Sequence, residues 1–181
     1  EKVSQRRGTR RSARIAAKKK KKPKPKPKRD WYEIGDKVQA MGKDVMGMGA
    51  DDVVLPVVPM FHANAWGLAL SCPAVGSNMV MPGAQMDGAS IYELLDTEKV
   101  TITAAVPTVW LMLLTHLQEN NLKLPHLKKV LIGGSAIPEK ILRAFEQDYE
   151  VDVVHAWGMT ETSPLGTLGA LPPHLVNADI D

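Results

Sequence analysis

A flat aromatic ring, a hydroxyl group and a carboxylate occur close together near residue 160. Trp157 is followed by Gly158, so its ring can offer a stacking face, and base–aromatic stacking is worth ~1–3 kcal/mol per base. Thr160 and Glu161 follow three and four residues after the tryptophan and could reach a phosphate group and its Mg²⁺. An ordinary loop after a strand is the alternative interpretation, so these residue types alone do not predict a reaction.

A glycine pair and a histidine are the other candidates for chemistry. Gly133 and Gly134 are followed by Ser135 and Ala136, and glycines let the backbone approach a ligand closely. His62 follows a short apolar run that is suited to a buried strand.

Alternating strands and helices must position these residues. Short apolar runs predict strands at residues 53–58, 78–81, 101–105, 130–132 and 151–155. Helical periodicity and the positions of Asp87, Pro107 and Pro138 predict helices at 64–75 (interrupted by Pro73), 88–98, 107–119 and from 138 onwards. Trp110 and Met112 are predicted to lie in the core.

This alternation predicts an α/β fold of layered βα repeats with a mostly parallel sheet. Ligands in such folds bind at the carboxyl ends of the strands. His62, Gly133–Ser135 and residues 156–161 follow the first, fourth and fifth predicted strands, so we expect them to converge at one edge of the sheet.

Length and composition favour a single domain without a membrane span. The 181 residues contain no apolar run near the roughly 20 residues that a span requires. Cys72 is the only cysteine, which excludes an intrachain disulfide and a cysteine-based metal site. No secretory signal precedes the body, and we predict a cytoplasmic protein.

The net charge of +3 is divided very unevenly. Residues 1–29 carry 15 Lys/Arg and one acid, whereas residues 30–181 carry 8 Lys/Arg and 19 acids. We predict a disordered, Lys/Arg/Pro-rich arm over residues 1–30. Residues 2–29 could neutralise phosphates of a nucleic acid without sequence preference, and nuclear localisation stays open if the arm belongs to the natural protein.

Residues 31–50 are interpreted as a junction. Residues 31–40 are similar to the first strand of a Tudor-type chromatin reader, over ten residues only.

The body from residue 51 to 181 resembles part of the adenylate-forming (AMP-binding) superfamily, and within it the medium- and long-chain fatty-acyl-CoA synthetases. The resemblance is continuous over about 120 residues and is carried by residues 57–67 (VVPMFHANAWG), 103–110 (TAAVPTVW), 132–138 (IGGSAIP) and 156–161 (AWGMTE). It implies an ATP-dependent fatty-acid–CoA ligase that uses ATP, Mg²⁺ and CoA. A homodimer is also a possible form of the protein.

The resemblance implies roles for particular residues. Catalytic roles fall on His62, Thr160 and Glu161, with Glu161 also as the Mg²⁺ ligand. The acyl substrate would contact His62, Trp66, Val106 and Pro107. The nucleotide would contact Gly133, Gly134, Ser135, Ala136, His155, Ala156, Trp157, Gly158, Met159 and Thr160.

Several elements of this family are missing from the chain as given. Nothing between residues 31 and 53 resembles its phosphate loop, and its ribose-binding Asp and C-terminal lysine domain would follow the end of the chain. We therefore expect a fragment that is inactive alone. The alternative is a non-enzymatic nucleic-acid- or chromatin-associated protein acting through the basic arm.

Overall fold

The computed structural model describes residues 38–39, 42–43, 46–162 and 165–169. The predicted basic arm, residues 31–37 of the Tudor-like segment and residues 170–181 lie outside the described residues. Val38 and Gln39 are helical rather than extended, so the strand predicted there is wrong at these two residues. The side-chain amide of Gln39 donates to the Ala74 carbonyl at 3.2 Å, which ties this segment to the body.

Six strands form one sheet in the order β2-β1-β3-β4-β5-β6. The first five are parallel, and β6 pairs antiparallel with β5. The predicted α/β class with a mostly parallel sheet is therefore confirmed. The strands are β1 Val53–Pro56, β2 Asn78–Met79, β3 Ile102–Ala105, β4 Lys129–Ile132, β5 Asp152–Gly158 and β6 Leu165–Leu168.

Helices connect the parallel strands, and most of their bounds follow from local signals. They are α1 Leu68–Val75, α2 Gly88–Thr97, α3 Pro107–Glu119 and α4 Glu139–Arg143, which continues as a wider turn over Ala144–Asp148. Asp87 caps α2 by accepting the N–H groups of Ala89 and Ser90. Pro107 begins α3, where its missing N–H costs nothing.

The break predicted at Pro73 is wrong, because Pro73 lies inside α1 near its end. The actual interruption is a left-handed turn, Ala63–Trp66, followed by Gly67 at φ 81°. A proline near the end of a helix removes one hydrogen bond, whereas a change of handedness ends the helix.

The core lies on both faces of the sheet. Successive strand residues point to opposite faces, so Val54 packs under α1 whereas Leu55 packs against α2 and α3. Trp110 is fully buried and meets Phe145 edge to face at 5.7 Å, which confirms that Trp110 is a core residue. Met112 is 45% exposed, so the core position predicted for it is wrong. It lies only two residues, about 200°, beyond Trp110 on α3 and therefore faces away from the sheet.

Within the parts of the chain that the structure describes, no helix is long and apolar enough to cross a bilayer.

Candidate active site

Three chain segments meet at the carboxyl edge of the sheet, as the sequence predicted. They follow β1 and β4 and include the end of β5, and they enclose a cavity of about 190 Å³. The lining residues are Met46, His62, Ala63, Trp66, Gly133, Gly134, Ala156, Gly158, Met159, Thr160 and Leu165. The convergence therefore brings a histidine, two glycines and a threonine hydroxyl to one space.

The left-handed turn Ala63–Trp66 presents two of these residues. Its four non-glycine residues have φ between 44° and 56°, and the Trp66 N–H donates to the His62 carbonyl at 3.1 Å. Each L-residue in this conformation costs roughly 1–2 kcal/mol relative to the right-handed helix. Burial of Ala65, which is 0% exposed, helps to offset that strain. The turn places His62 at its start and Trp66 at its end, both facing the cavity.

The indole of Trp66 lies against the glycine pair. A Cβ built on Gly133 would come within 3.1 Å of Cη2 and 3.3 Å of Cζ3 of that ring. Gly134 has φ 81°, and a Cβ there would come within 3.1 Å of Val106 Cγ1. A side chain would therefore be crowded at both positions, and at Gly134 it would also be disfavoured by the backbone conformation.

A second space of about 340 Å³ adjoins the first. It is lined by Val57, Val58, Pro59, His62, Trp66, Val106 and Gly134. We call it the apolar chamber. The 190 Å³ space also has a mostly apolar lining, but it exposes more polar surface and includes Thr160, so we call it the polar chamber. His62, Trp66 and Gly134 line both, so they form the partition between the two chambers.

Strand β5 separates the predicted nucleotide-contacting residues into two groups. Ala156 and Gly158 line the polar chamber, whereas His155 and Trp157 do not. This division follows from the alternation of side chains along a strand. The sequence placed residues 156–158 in a loop after the strand, and that boundary is wrong because pairing with β6 extends β5 to Gly158.

The other group lies beside the chamber. His155 Nε2 approaches the Ser135 carbonyl at 3.4 Å. The ring of Trp157 is 55% exposed and covers Gly166 of β6, where a Cβ would lie 2.5 Å from ring carbon Cζ3. Ala136 is exposed and lines neither chamber. Trp157 thus contacts β6 on one part of its ring and leaves about half of its surface exposed.

A short turn presents the hydroxyl and carboxylate of the third segment. The Met159 N–H donates to Thr162 Oγ1 at 3.0 Å, and that hydroxyl donates to the Met159 carbonyl at 2.8 Å. Thr160 lines the polar chamber from this turn, while Glu161 is exposed beside it.

The side chains beside the polar chamber fit a hydrated Mg²⁺ that is held mainly by the phosphate groups of a substrate. No group of three or more His, Cys, Asp or Glu side chains suited to a metal occurs in the described part of the chain. Mg²⁺ retains several waters and commonly binds one or two carboxylates together with substrate phosphates. Glu161 can supply that single carboxylate at the open side of the turn.

The remaining predicted substrate contacts differ in position. Val106 lines the apolar chamber, whereas Pro107 is buried as the first residue of α3 and lines neither chamber. Sequence reasoning missed Met46, Ala63 and Leu165. Met46 is 5% exposed, and its carbonyl accepts from Lys129 Nζ at 3.1 Å. Its segment carries no motif, so only the fold reveals its place in the lining.

Burial controls the one thiol near this region. Cys72 lies on α1 and is fully buried, and this desolvation raises the pKa of its thiol. This environment disfavours the thiolate form of Cys72, which is the reactive form of a cysteine.

The sheet and the position of its site define an α/β domain that binds its ligand at the carboxyl ends of parallel strands. The family model for AMP-binding enzymes matches residues 33–179, and the chain belongs to that family. This membership confirms the resemblance that the four sequence motifs indicated.

Named relatives agree with the family assignment. The chain is 49% identical over 125 residues to the 3-methylmercaptopropionyl-CoA ligase of Ruegeria lacuscaerulensis, covering 69% of this chain and 23% of that protein. It is 46% identical over 138 residues to the medium-chain-fatty-acid–CoA ligase of Ectopseudomonas oleovorans, covering 76% and 25%. The chain thus spans about a quarter of the length of these relatives.

A solved structure supports the fold. The N-terminal domain of FACL13 from Mycobacterium tuberculosis superposes with a TM-score of 0.65 at 23% identity, covering 74% of this chain and 34% of that one.

Proposed function

We propose that these residues form the acid- and nucleotide-binding part of a fatty-acid–CoA ligase. The observation that carries the proposal is the pair of adjoining chambers, one lined by apolar residues and His62 and the other also by Thr160, with His62 and Trp66 between them. A fatty acid needs both environments, because its carboxylate must meet polar groups and its chain must leave water.

The proposed placement follows from the lining of each chamber. The acyl chain lies in the apolar chamber against Val57, Val58 and Val106, and its carboxylate reaches the partition at His62. The α-phosphate of ATP lies in the polar chamber near the Thr160 hydroxyl. The adenine extends past Gly158, which ends β5 and lines this chamber, and stacks on the exposed part of the Trp157 ring.

The proposed reaction has two steps. A carboxylate oxygen of the acid attacks the α-phosphorus of ATP, and the bond to pyrophosphate breaks to leave an acyl-adenylate. The sulfur of CoA then attacks the acyl carbonyl carbon, its thiol proton is lost, and AMP leaves with the electron pair of the broken C–O bond. Mg²⁺, when bound, neutralises phosphate charge as a Lewis acid.

The chain's own residues position and polarise the reactants. The Thr160 hydroxyl donates to a non-bridging α-phosphate oxygen, on which negative charge grows in the transition state. Glu161 orients the hydrated cation, and His62 holds the carboxylate in line with the phosphorus. Holding both reactants in place before the reaction reduces the entropy lost at the barrier.

We further propose that the 181 residues bind these ligands but turn them over poorly. None of the residues lining the two chambers, as far as the structure describes the chain, is a lysine or arginine. The developing phosphate charge would therefore meet Thr160 and a cation but no fixed positive side chain.

Two measurements test this function. Titration calorimetry with AMP and with octanoate should show binding of each ligand, and Thr160→Ala should weaken AMP by about tenfold, as expected for losing one hydrogen bond to a charged group. Glu161→Gln should remove the Mg²⁺ dependence of ATP binding, while Glu119→Gln at the far end of α3 removes the same charge without effect. An unaltered chain that binds neither ligand would refute the proposal.

Pyrophosphate release tests the second part. With octanoate, ATP and Mg²⁺, release should not exceed that of a heat-killed control. Clear octanoate-dependent release would show that the described site suffices for the first step.

The charge distribution favours one alternative function. Residues 1–29 carry a net charge of +14, and residues 30–181 carry −11. A polycation of this density binds nucleic acid through counterion release, with affinity that falls steeply with salt. Duplex DNA binding between 50 and 200 mM salt, with and without residues 2–29, tests this alternative. Equal binding by both chains would remove its basis.

A further inference from the structure

We propose that Gly133 is a specificity-determining positioning residue for the acyl chain. Because Gly133 has no side chain, the Trp66 indole can pack closely against the Gly133–Gly134 backbone. We infer that the position of the indole in this contact sets the size of the apolar chamber. The inference rests on the proposed function, since it assigns the apolar chamber to the acyl chain.

Trp66 is held from one side by the backbone that carries it. It ends the left-handed turn, with φ 56°, and the next residue, Gly67, also has positive φ at 81°. The Gly67 N–H donates to the Ala63 carbonyl at 2.9 Å and so closes the turn. Rotation of the indole by a backbone change would require this turn to unwind together with Leu68, which is fully buried.

Gly133 holds the indole from the other side. A methyl group at Gly133 would lie 2.9 Å from the Ala156 carbonyl oxygen as well as 3.1 Å from the Trp66 ring. The carbonyl belongs to β5, where Ala156 pairs with Leu168 of β6, whereas the indole is half-buried between two open spaces. The methyl group cannot displace this carbonyl oxygen and must move away from it, and the indole is the neighbouring side chain that can yield.

The direction of that displacement follows from the chamber linings. Gly133 lines the polar chamber and is absent from the lining of the apolar chamber, whereas Trp66 lines both. Movement of the indole away from Gly133 is therefore movement into the apolar chamber. The chamber contracts, and long acyl chains lose more room than short ones.

Alanine at Gly133 probes the contact with Trp66 more cleanly than alanine at Gly134. Its φ lies outside the left-handed region, so alanine can adopt its backbone conformation without strain. Gly134 has φ 81°, and alanine there would add backbone strain to any effect on Trp66.

The experiment is a double-substitution cycle on the full chain. Dissociation constants for butyrate, octanoate and dodecanoate are measured by calorimetry for the unaltered chain, Gly133→Ala, Trp66→Phe and the combined variant. Gly133→Ala should weaken dodecanoate by about tenfold, equivalent to losing the burial of roughly two methylenes, and butyrate by less than about twofold. In the Trp66→Phe background the smaller ring gives the methyl group room, and the length-dependent loss should disappear.

Other outcomes decide against the proposal in distinct ways. A loss of equal size for all three acids, or one that persists with Trp66→Phe, would assign the effect to the Ala156 carbonyl and overturn the inference. No acid binding by the unaltered chain would instead refute the proposed function and, with it, this role. If Gly133→Ala fails to fold, refolding of the combined variant supports the contact with Trp66, and its failure to fold contradicts it.

Discussion

Replacing Ala63 by glycine isolates the strain in the turn that carries His62 and Trp66. Ala63 has φ 44°, in the region where an L-residue is disfavoured by roughly 1–2 kcal/mol. Glycine removes this strain but gains freedom in the unfolded chain, which costs back about 0.4–1 kcal/mol. We therefore expect Ala63→Gly to raise the free energy of unfolding by about 0.5–1 kcal/mol.

The assay is urea unfolding followed by circular dichroism, with thermal unfolding as a second measure. A stabilisation of this size should raise Tm by about 1–4 °C in a chain of this length. The matched control is Ala89→Gly, the same chemical change at an exposed position of the right-handed helix α2, which should destabilise by roughly 0.5–1 kcal/mol. The opposite signs are the signature of the left-handed turn. Equal destabilisation by both substitutions would refute the described conformation of residues 63–66.

Three further predictions concern the fold that supports the site. Trp110→Ala should cost about 3–5 kcal/mol of unfolding free energy, because it removes a fully buried ring, whereas Leu111→Ala next to it, 50% exposed, should cost far less. The backbone N–H and the hydroxyl of Ser90 hold the pKa of Asp87 below its usual value. These hydrogen bonds therefore stabilise the folded chain at pH values above the pKa that Asp87 has in the unfolded chain. The stabilisation is lost as the pH falls through the lower pKa that Asp87 has in the folded chain. Below about pH 4, Tm should therefore fall less with falling pH in the Asp87→Asn variant than in the unaltered chain. Cys72 should react slowly with a thiol reagent at pH 8 in the folded chain and rapidly in urea, and rapid labelling without urea would contradict its burial.

Local signals account for the parts of the fold that the sequence predicted well. Helix α3 begins at Pro107 and ends at Glu119 as predicted, because proline marks its first turn and Trp110, Leu113 and Leu117 repeat at helical spacing. The parallel strands followed from short apolar runs separated by helices. The edge of the sheet at which the site lies was predictable from the same alternation, since strand ends of one direction meet at one edge.

The remaining features depend on contacts that are distant in sequence. Nothing in Ala63, Asn64, Ala65 and Trp66 as a set predicts four consecutive left-handed residues, which packing of Ala65 and Leu68 must support. The separation of His155 and Trp157 from the polar chamber depends on β6, whose sequence lacks a clear strand pattern. Met46 reaches the lining because it packs with Val54, Leu68 and Leu131 on the face of the sheet that α1 covers.

A single ligand that spans both chambers is the most direct probe of the proposed site. Octanoyl sulfamoyl adenosine, a stable mimic of an acyl-adenylate, should bind the full chain in a 1:1 ratio by titration calorimetry. Thr160→Ala and Trp66→Ala should each weaken that binding by about tenfold or more, since one removes a phosphate-side hydrogen bond and the other the partition, while Glu119→Gln leaves it unchanged. Absence of binding, or binding that none of these substitutions alters, would contradict the assignment of the two adjoining chambers to acid and nucleotide.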